Sequence, residues 1–247
     1  MSAASQTISD TSATTPQISS LLRIEIAKQV ALALQEDIAT GDINAQLIPD
    51  TQCDTATIIC REPMVVAGKA WVDEVFRQLD PNMQLDWAVK DGDAVAANQV
   101  LVTLIGNTRA LLTGERTALN FLQTLSSTAT VVANHVAVIA ELPTKLLDTR
   151  KTIPMLRHAQ KYAMLCGGGN NHRIGLYDAF LIKENHIMAC GGIAQAVSQA
   201  RQIANKPVEV EVENFDELHQ AIAANADIVM LDNFTIEDTQ KAVELVA

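Results

Sequence analysis

Val208-Glu209-Val210-Glu211-Val212-Glu213, followed by Asn214 and a helical stretch over residues 215–224, decides the fold. Period-two alternation puts three valines on one face of a strand and three glutamates on the other. On a strand at an open edge the glutamates face water. In a βα barrel the valines pack outward under helices and the glutamates point into the lumen. Carboxylates buried there need cations or a metal. Short strands expected over residues 145–148, 179–183 and 228–232 flank this one in the sequence, with helical stretches at 153–165 and 193–204 between them. Strand and helix alternating in this way predict a parallel sheet of βα units, open or closed into a barrel.

Upstream of Pro143 the pattern differs. Residues 1–17 are rich in Ser, Thr and Ala without a periodic apolar face, and predict a flexible tail. Leu22, Ile26, Val30, Ala33 and Leu34 recur at helical spacing and predict an amphipathic helix over residues 21–35, ending before Gly41. Residues 55–60, 64–67, 84–88 and 100–105 read as short strands, separated by the turn signals Pro63, Pro81 and Asp91-Gly92. They predict a small sheet packed on helices. The stretch 89–104 resembles the hammerhead turn of biotinyl and lipoyl carriers. It has no exposed lysine at a hairpin tip, so a structural β-element is expected. Residues 111–125 and 129–140 are apolar enough for two buried helices, and Ser126-Ser127 between them marks the expected boundary. The resulting organisation is a tail at 1–17, a first domain at 18–126 and a second at 127–247.

The formal charge is −11, from 29 acidic and 18 basic residues, which opposes nucleic acid or an anionic membrane surface as a bulk partner. An anionic ligand must therefore meet a local basic cluster. Cys53, Cys60, Cys166 and Cys190 show no CxxC spacing, so reduced thiols are expected rather than zinc ligands or a disulfide framework. With no apolar run long enough to span a bilayer and no signal-peptide pattern, the expected location is the cytoplasm.

The expected strands end in Asp148-Thr149-Arg150-Lys151, Lys183-Glu184-Asn185-His186, Glu213-Asn214 and Asp232-Asn233. Ligands in parallel α/β folds bind at the carboxyl ends of strands, so four polar endings predict one site. Asp232-Asn233 alone reads more readily as a helix N-cap. Basic residues concentrate between positions 150 and 183: Arg150, Lys151, Arg157, Lys161, Arg173 and Lys183, against the single acid Asp178. Arg150, Lys151, Arg173 and Lys183 lie near strand ends or the Gly167-Gly168-Gly169-Asn170-Asn171-His172 turn, where they can hold carboxylates or phosphates. His172 is placed there as an anion ligand. Arg157 and Lys161, four apart on a helix, read as a solvated face.

Five blocks in order carry a family resemblance: TGERTALN from Thr113, LLDTRKT from Leu146, GGGNNHRIGLYDAFLIKENH from Gly167, VEVEVEN from Val208 and MLDN from Met230. EDIATGDIN from Glu36 fits the same family's amino-terminal segment. From about Leu21 onward the chain resembles the quinolinate phosphoribosyltransferases. That resemblance implies an amino-terminal α/β sandwich followed by an incomplete α/β barrel, and a homodimer or higher oligomer with shared sites. It also implies transfer of phosphoribosyl from phosphoribosyl pyrophosphate to quinolinate, with Mg²⁺, giving nicotinate mononucleotide, pyrophosphate and CO₂.

By resemblance Arg116 is lent across a subunit interface to quinolinate. Thr149, Arg150, Lys151, His172, Arg173 and Lys183 line the substrate pocket. Glu211 and Asp232 are the acids near the donor ribose and magnesium, and Lys151, Lys183, Glu211 and Asp232 form the catalytic set. The family's later Ser-Gly-Gly and Val-Gly-Ala phosphate turns do not occur in this sequence, which carries the expectation of a carboxyl-terminally shortened, less active chain. Two alternative functions remain open: a related transferase for another aromatic acid, and a non-catalytic paralogue that binds ligand or an active homologue.

Overall fold

The chain turns helical where Ser19 can cap it, its hydroxyl accepting the Leu22 N–H at 3.1 Å. In the computed structural model, which describes residues 15–246, α1 spans Ser20–Ile38 and buries Ile26, Val30 and Leu34 at helical spacing. The expected tail, residues 1–17, lies almost wholly outside the described residues. Two compact units divide between His172 and Arg173.

In the first unit, β1 (Cys53–Ile59), β3 (Gln84–Trp87) and β5 (Val100–Asn107) form an antiparallel sheet with β5 in the middle. Its register sets Ala56, Leu104 and Leu85 in one cross-strand row and Ile58, Val102 and Trp87 in the next. Both rows face the helices and join the same core. A second, two-stranded sheet pairs β2 (Met64–Val65) with β4 (Ala94–Val95), the latter inside the stretch expected to be a structural β-element. Between them lies α2 (Lys69–Leu79), which the sequence reading did not anticipate. It buries Trp71, Val72, Val75 and Phe76.

Instead of two helices separated at Ser126-Ser127, a single helix, α3 (Thr108–Val138), runs through both serines. Ser126 is buried because its hydroxyl accepts the Ala67 N–H at 3.0 Å and donates to the Ala67 carbonyl at 3.1 Å. Thr130 accepts the Val65 N–H at 2.9 Å one turn later. These hydroxyls complete the backbone bonding of the end of β2 and of the segment after it, so they dock the helix rather than end it.

The helix expected from residue 153 begins later, as α4 (Arg157–Cys166). Pro154 disfavours a helical Ile153, and Met155 sits in the left-handed region at φ 68°. The strand expected at 145–148 shrinks to one bridge, Leu147 with Asn170. Asp148 ends the pairing there by turning its side chain onto residues 171–172.

The second unit repeats strand then helix: β6 (Phe180–Ile182), α5 (Glu184–Cys190), α6 (Ile193–Ile203), β7 (Val208–Val212), α7 (Phe215–Ala223), β8 (Ile228–Leu231) and α8 (Ile236–Val246). Its sheet is parallel, in the order β6-β7-β8. The strand quoted at the outset is therefore central, and the open-edge placement of its glutamates is ruled out. Val208, Val210 and Val212 are 0 % exposed in a core with Ile193, Val197 and Leu218, while Glu209 on the opposite face is 4 % exposed.

Candidate active site

In the first unit two loops are held side by side. Asn170 donates to the Leu146 carbonyl at 2.9 Å and accepts the Asp148 N–H at 3.1 Å, which sets Asp148-Thr149-Arg150-Lys151 against Asn171-His172. Thr149 accepts the Lys151 N–H at 3.0 Å, folding the loop tightly at its tip. Lys151 is exposed, and His172 is half-buried. Among the described residues Arg150 Nε is buried without a hydrogen-bond partner. A buried guanidinium nitrogen without an acceptor is unusual in a folded protein.

Lys161 overturns the reading of a solvated face. It is 3 % exposed, ion-pairs with Asp148 and donates to the His172 carbonyl at 3.1 Å. Arg157 is half-buried, with Nε on the Thr152 hydroxyl at 3.2 Å and Nη2 on the Arg150 carbonyl at 3.4 Å. Both side chains brace the loops from beneath. The glycine triplet has an equally structural cause. A Cβ on Gly167 would lie 2.4 Å from the Ala129 carbonyl oxygen of α3, and Gly168 has φ 83°.

In the second unit, parallel register aligns Ile182 with Val210, so Lys183 falls beside Glu211. Lys183 Nζ meets Glu211 Oε2 at 2.5 Å, with the lysine partly open to solvent and the carboxylate largely enclosed. Val212 pairs with Leu231 and Glu211 with Met230, so Asp232, two residues beyond Met230, follows the same face as Glu211. Asp232 does not cap the next helix. Thr235 does, accepting the Asp238 N–H at 3.1 Å, which removes the bland explanation for Asp232. By contrast Asn214 does cap α7, through the Glu217 N–H at 2.9 Å, and Glu184, Asn185 and His186 form the first turn of α5.

Arg173 stands near Asp178. Burial works to raise the Asp178 carboxyl, but the Ile174 and Gly175 N–H groups and the Arg173 charge hold it below its ordinary value. Arg116 is exposed on α3 and makes no ion pair among the described residues. Among those residues no group of three or more His, Cys, Asp or Glu is arranged to hold a metal ion. Among the described residues no helix is long and apolar enough to cross a membrane. The structure thus assembles Arg150, Lys151 and His172 within one unit, and Lys183, Glu211 and Asp232 within the other.

Residues 37–126 match the model of the quinolinate phosphoribosyl transferase N-terminal domain, and residues 128–247 that of its C-terminal domain. The chain belongs to the quinolinate phosphoribosyltransferase family. Similar proteins include a Bacillus subtilis chain named "probable nicotinate-nucleotide pyrophosphorylase (carboxylating)", 46% identical over 200 residues, covering 80% of this chain and 69% of that one. The Mycobacterium leprae nicotinate-nucleotide pyrophosphorylase (carboxylating) is 40% identical over 220 residues, or 86% of this chain and 76% of the relative. The solved structure of the nicotinate-nucleotide pyrophosphorylase from Francisella tularensis is 55% identical, with a TM-score of 0.89, covering 94% of this chain and 83% of that one. The two family models for this quinolinate phosphoribosyltransferase chain meet at residue 127, inside α3, whereas its compact units divide between His172 and Arg173.

Proposed function

We infer that this chain transfers the phosphoribosyl group of phosphoribosyl pyrophosphate to the ring nitrogen of quinolinate, with loss of the 2-carboxylate as CO₂. The products are nicotinate mononucleotide, pyrophosphate and CO₂. The observation that carries the substrate class is the unpartnered Arg150 Nε beside Lys151 and His172. A dianionic aromatic acid supplies the acceptor that Arg150 Nε lacks. The second unit carries basic residues of its own, Arg173 and Lys183.

As pyrophosphate leaves, positive charge develops at C1′ and the ring oxygen of the ribose. Glu211 and Asp232, on one sheet face at adjacent strand ends, are suited to stabilise it. Lys183 orients Glu211 through their 2.5 Å contact. The ring nitrogen is itself the nucleophile, so no covalent enzyme intermediate is needed. After transfer, CO₂ departs and leaves its electron pair on C2, where the adjacent cationic ring nitrogen stabilises it, and a proton then fills that position.

Glu211 and Asp232 also fit a magnesium ion that arrives with its pyrophosphate. Such ions take one or two carboxylates and keep several waters. When bound, magnesium neutralises charge on the leaving group. Exposed Arg116 fits a role at a neighbouring subunit's site in a homodimer or higher oligomer, with Lys151, Thr149 and His172 at the substrate. All four cysteines are free, which supports a reducing, cytoplasmic setting.

The test is release of labelled CO₂ from carboxyl-labelled quinolinate, with phosphoribosyl pyrophosphate and Mg²⁺, alongside nicotinate as competing acceptor. Quinolinate-dependent CO₂ and nicotinate mononucleotide are expected in equal amounts. Arg150→Ala should raise the quinolinate Kd roughly tenfold or more, the loss of a charge-assisted hydrogen bond. Turnover of nicotinate without CO₂ release from quinolinate would overturn the assignment.

A further inference from the structure

The Lys161–Asp148 pair does more than fill the interior. A lysine this enclosed is rare, and replacing a buried ion pair with apolar side chains commonly leaves stability unchanged or improved. What distinguishes this pair is where its bonds go. Lys161 Nζ reaches both Asp148 Oδ1 and the His172 carbonyl, while Asp148 Oδ1 also accepts the His172 N–H at 2.8 Å. The Asn171 amide, turned with its nitrogen towards the pair, donates to Asp148 Oδ2 at 2.7 Å and to the Lys161 carbonyl at 3.0 Å. Both backbone groups of His172 are thus tied to two side chains. Asp148 is the residue immediately before Thr149-Arg150-Lys151.

We propose that Lys161 and Asp148 are positioning residues that fix the separation between the Arg150-Lys151 tip and His172, and so match the site to quinolinate's two neighbouring carboxylates. This deepens the quinolinate reading and rests on it. Neither residue needs to touch the substrate. Their bonds converge beneath the loops, and Arg157 supports the Arg150 carbonyl from the same helix. A dicarboxylate held at two points is sensitive to a shift of one loop against the other by a fraction of an ångström, because both contacts cannot then be made at once.

Lys161→Met alone would leave Asp148 buried and unpaired, so the decisive variant is the double, Lys161→Met with Asp148→Asn. It removes both charges and keeps an acceptor for the His172 N–H. The double variant should melt within a few degrees of the parent, yet show a quinolinate KM and calorimetric Kd at least tenfold higher. The KM for phosphoribosyl pyrophosphate should change less than threefold. Lys161→Arg, which keeps the charge but changes its reach, should give an intermediate rise in quinolinate KM without loss of fold. If the double variant does not fold, Lys161→Arg decides the matter. A quinolinate KM within twofold of the parent in whichever variant is folded overturns the positioning role. A parent chain that releases no CO₂ from quinolinate instead ends the substrate reading on which the role depends.

Discussion

Among single residues the clearest contrast is between basic side chains that the sequence singles out and those it hides. Arg150, Lys151 and Lys183 stand beside turns or strand ends, where charge in an acidic chain attracts notice. Lys161 did not, because its spacing from Arg157 fits a solvated helix face. The surrounding Ala159, Tyr162, Ala163 and Met164, all buried, were the available signal. A cation in an apolar run implies a buried partner. Asp91 is a second buried charge with a different consequence. It accepts the Lys69 N–H at 3.1 Å and the Tyr162 hydroxyl at 2.8 Å. Burial raises its pKa, opposed by those two hydrogen bonds and by the Lys69 charge. The folded protein therefore retains a proton that the unfolded chain releases. This contribution to stability is complete below about pH 4, the ordinary carboxylate value, and is lost as pH rises through the elevated native one. Asp91→Asn should remove that loss. The change in urea midpoint on going from pH 4 to pH 7 should favour pH 7 more in Asp91→Asn than in the parent. An unchanged pH dependence would refute the assignment.

For helices and strands, legibility followed burial symmetry. β7 was readable because valine and glutamate alternate without interruption, and the structure resolves the one ambiguity by placing it between two neighbours. α2 was missed although Trp71, Val72, Val75, Phe76 and Leu79 already describe a helical stripe. Pro63 and Pro81 bracket a region that otherwise reads as short strands. Ser126-Ser127 was misread because a polar pair inside an apolar run looks like a break, while the partner that satisfies Ser126, Ala67, lies 59 residues away. The two serines should behave differently. Ser126→Ala leaves the Ala67 N–H without its acceptor and should cost roughly 1–3 kcal/mol. Ser127→Ala, on the exposed side, should be neutral or slightly stabilising, since alanine is the better helix former. Denaturant titration compares the two, and amide exchange at Ala67 should accelerate only in the first. Equal stability in both variants would mean that the Ser126 bonds contribute nothing net.

Across the molecule, the βα order of the carboxyl-terminal half was visible from sequence, but the compact division was not. Residues between 127 and 172 match the C-terminal family model yet pack into the first unit: Tyr162 lies 5.6 Å from Trp71, ring to ring, and Gln29 donates to the Met155 carbonyl at 2.9 Å. Such long-range partners leave no local pattern. The strand orders described above carry a further consequence, for synthesis on the ribosome. In the first unit the middle strand, β5, emerges last of the three, so β1 and β3 have no partner until Asn107 has left the exit tunnel. In the second unit, spatial order equals order of synthesis, and each strand can add to the one before it. Stalled nascent chains should therefore expose protease-sensitive strands in every intermediate that ends before Asn107. Those that have released Val212 should already protect β6 and β7 as a pair. Nascent-chain proteolysis at graded lengths would reveal the difference, and early protection of β1 would exclude it. The longest interval of aggregation risk then falls in the first hundred or so residues, and a chaperone that binds unpaired strands has its work there.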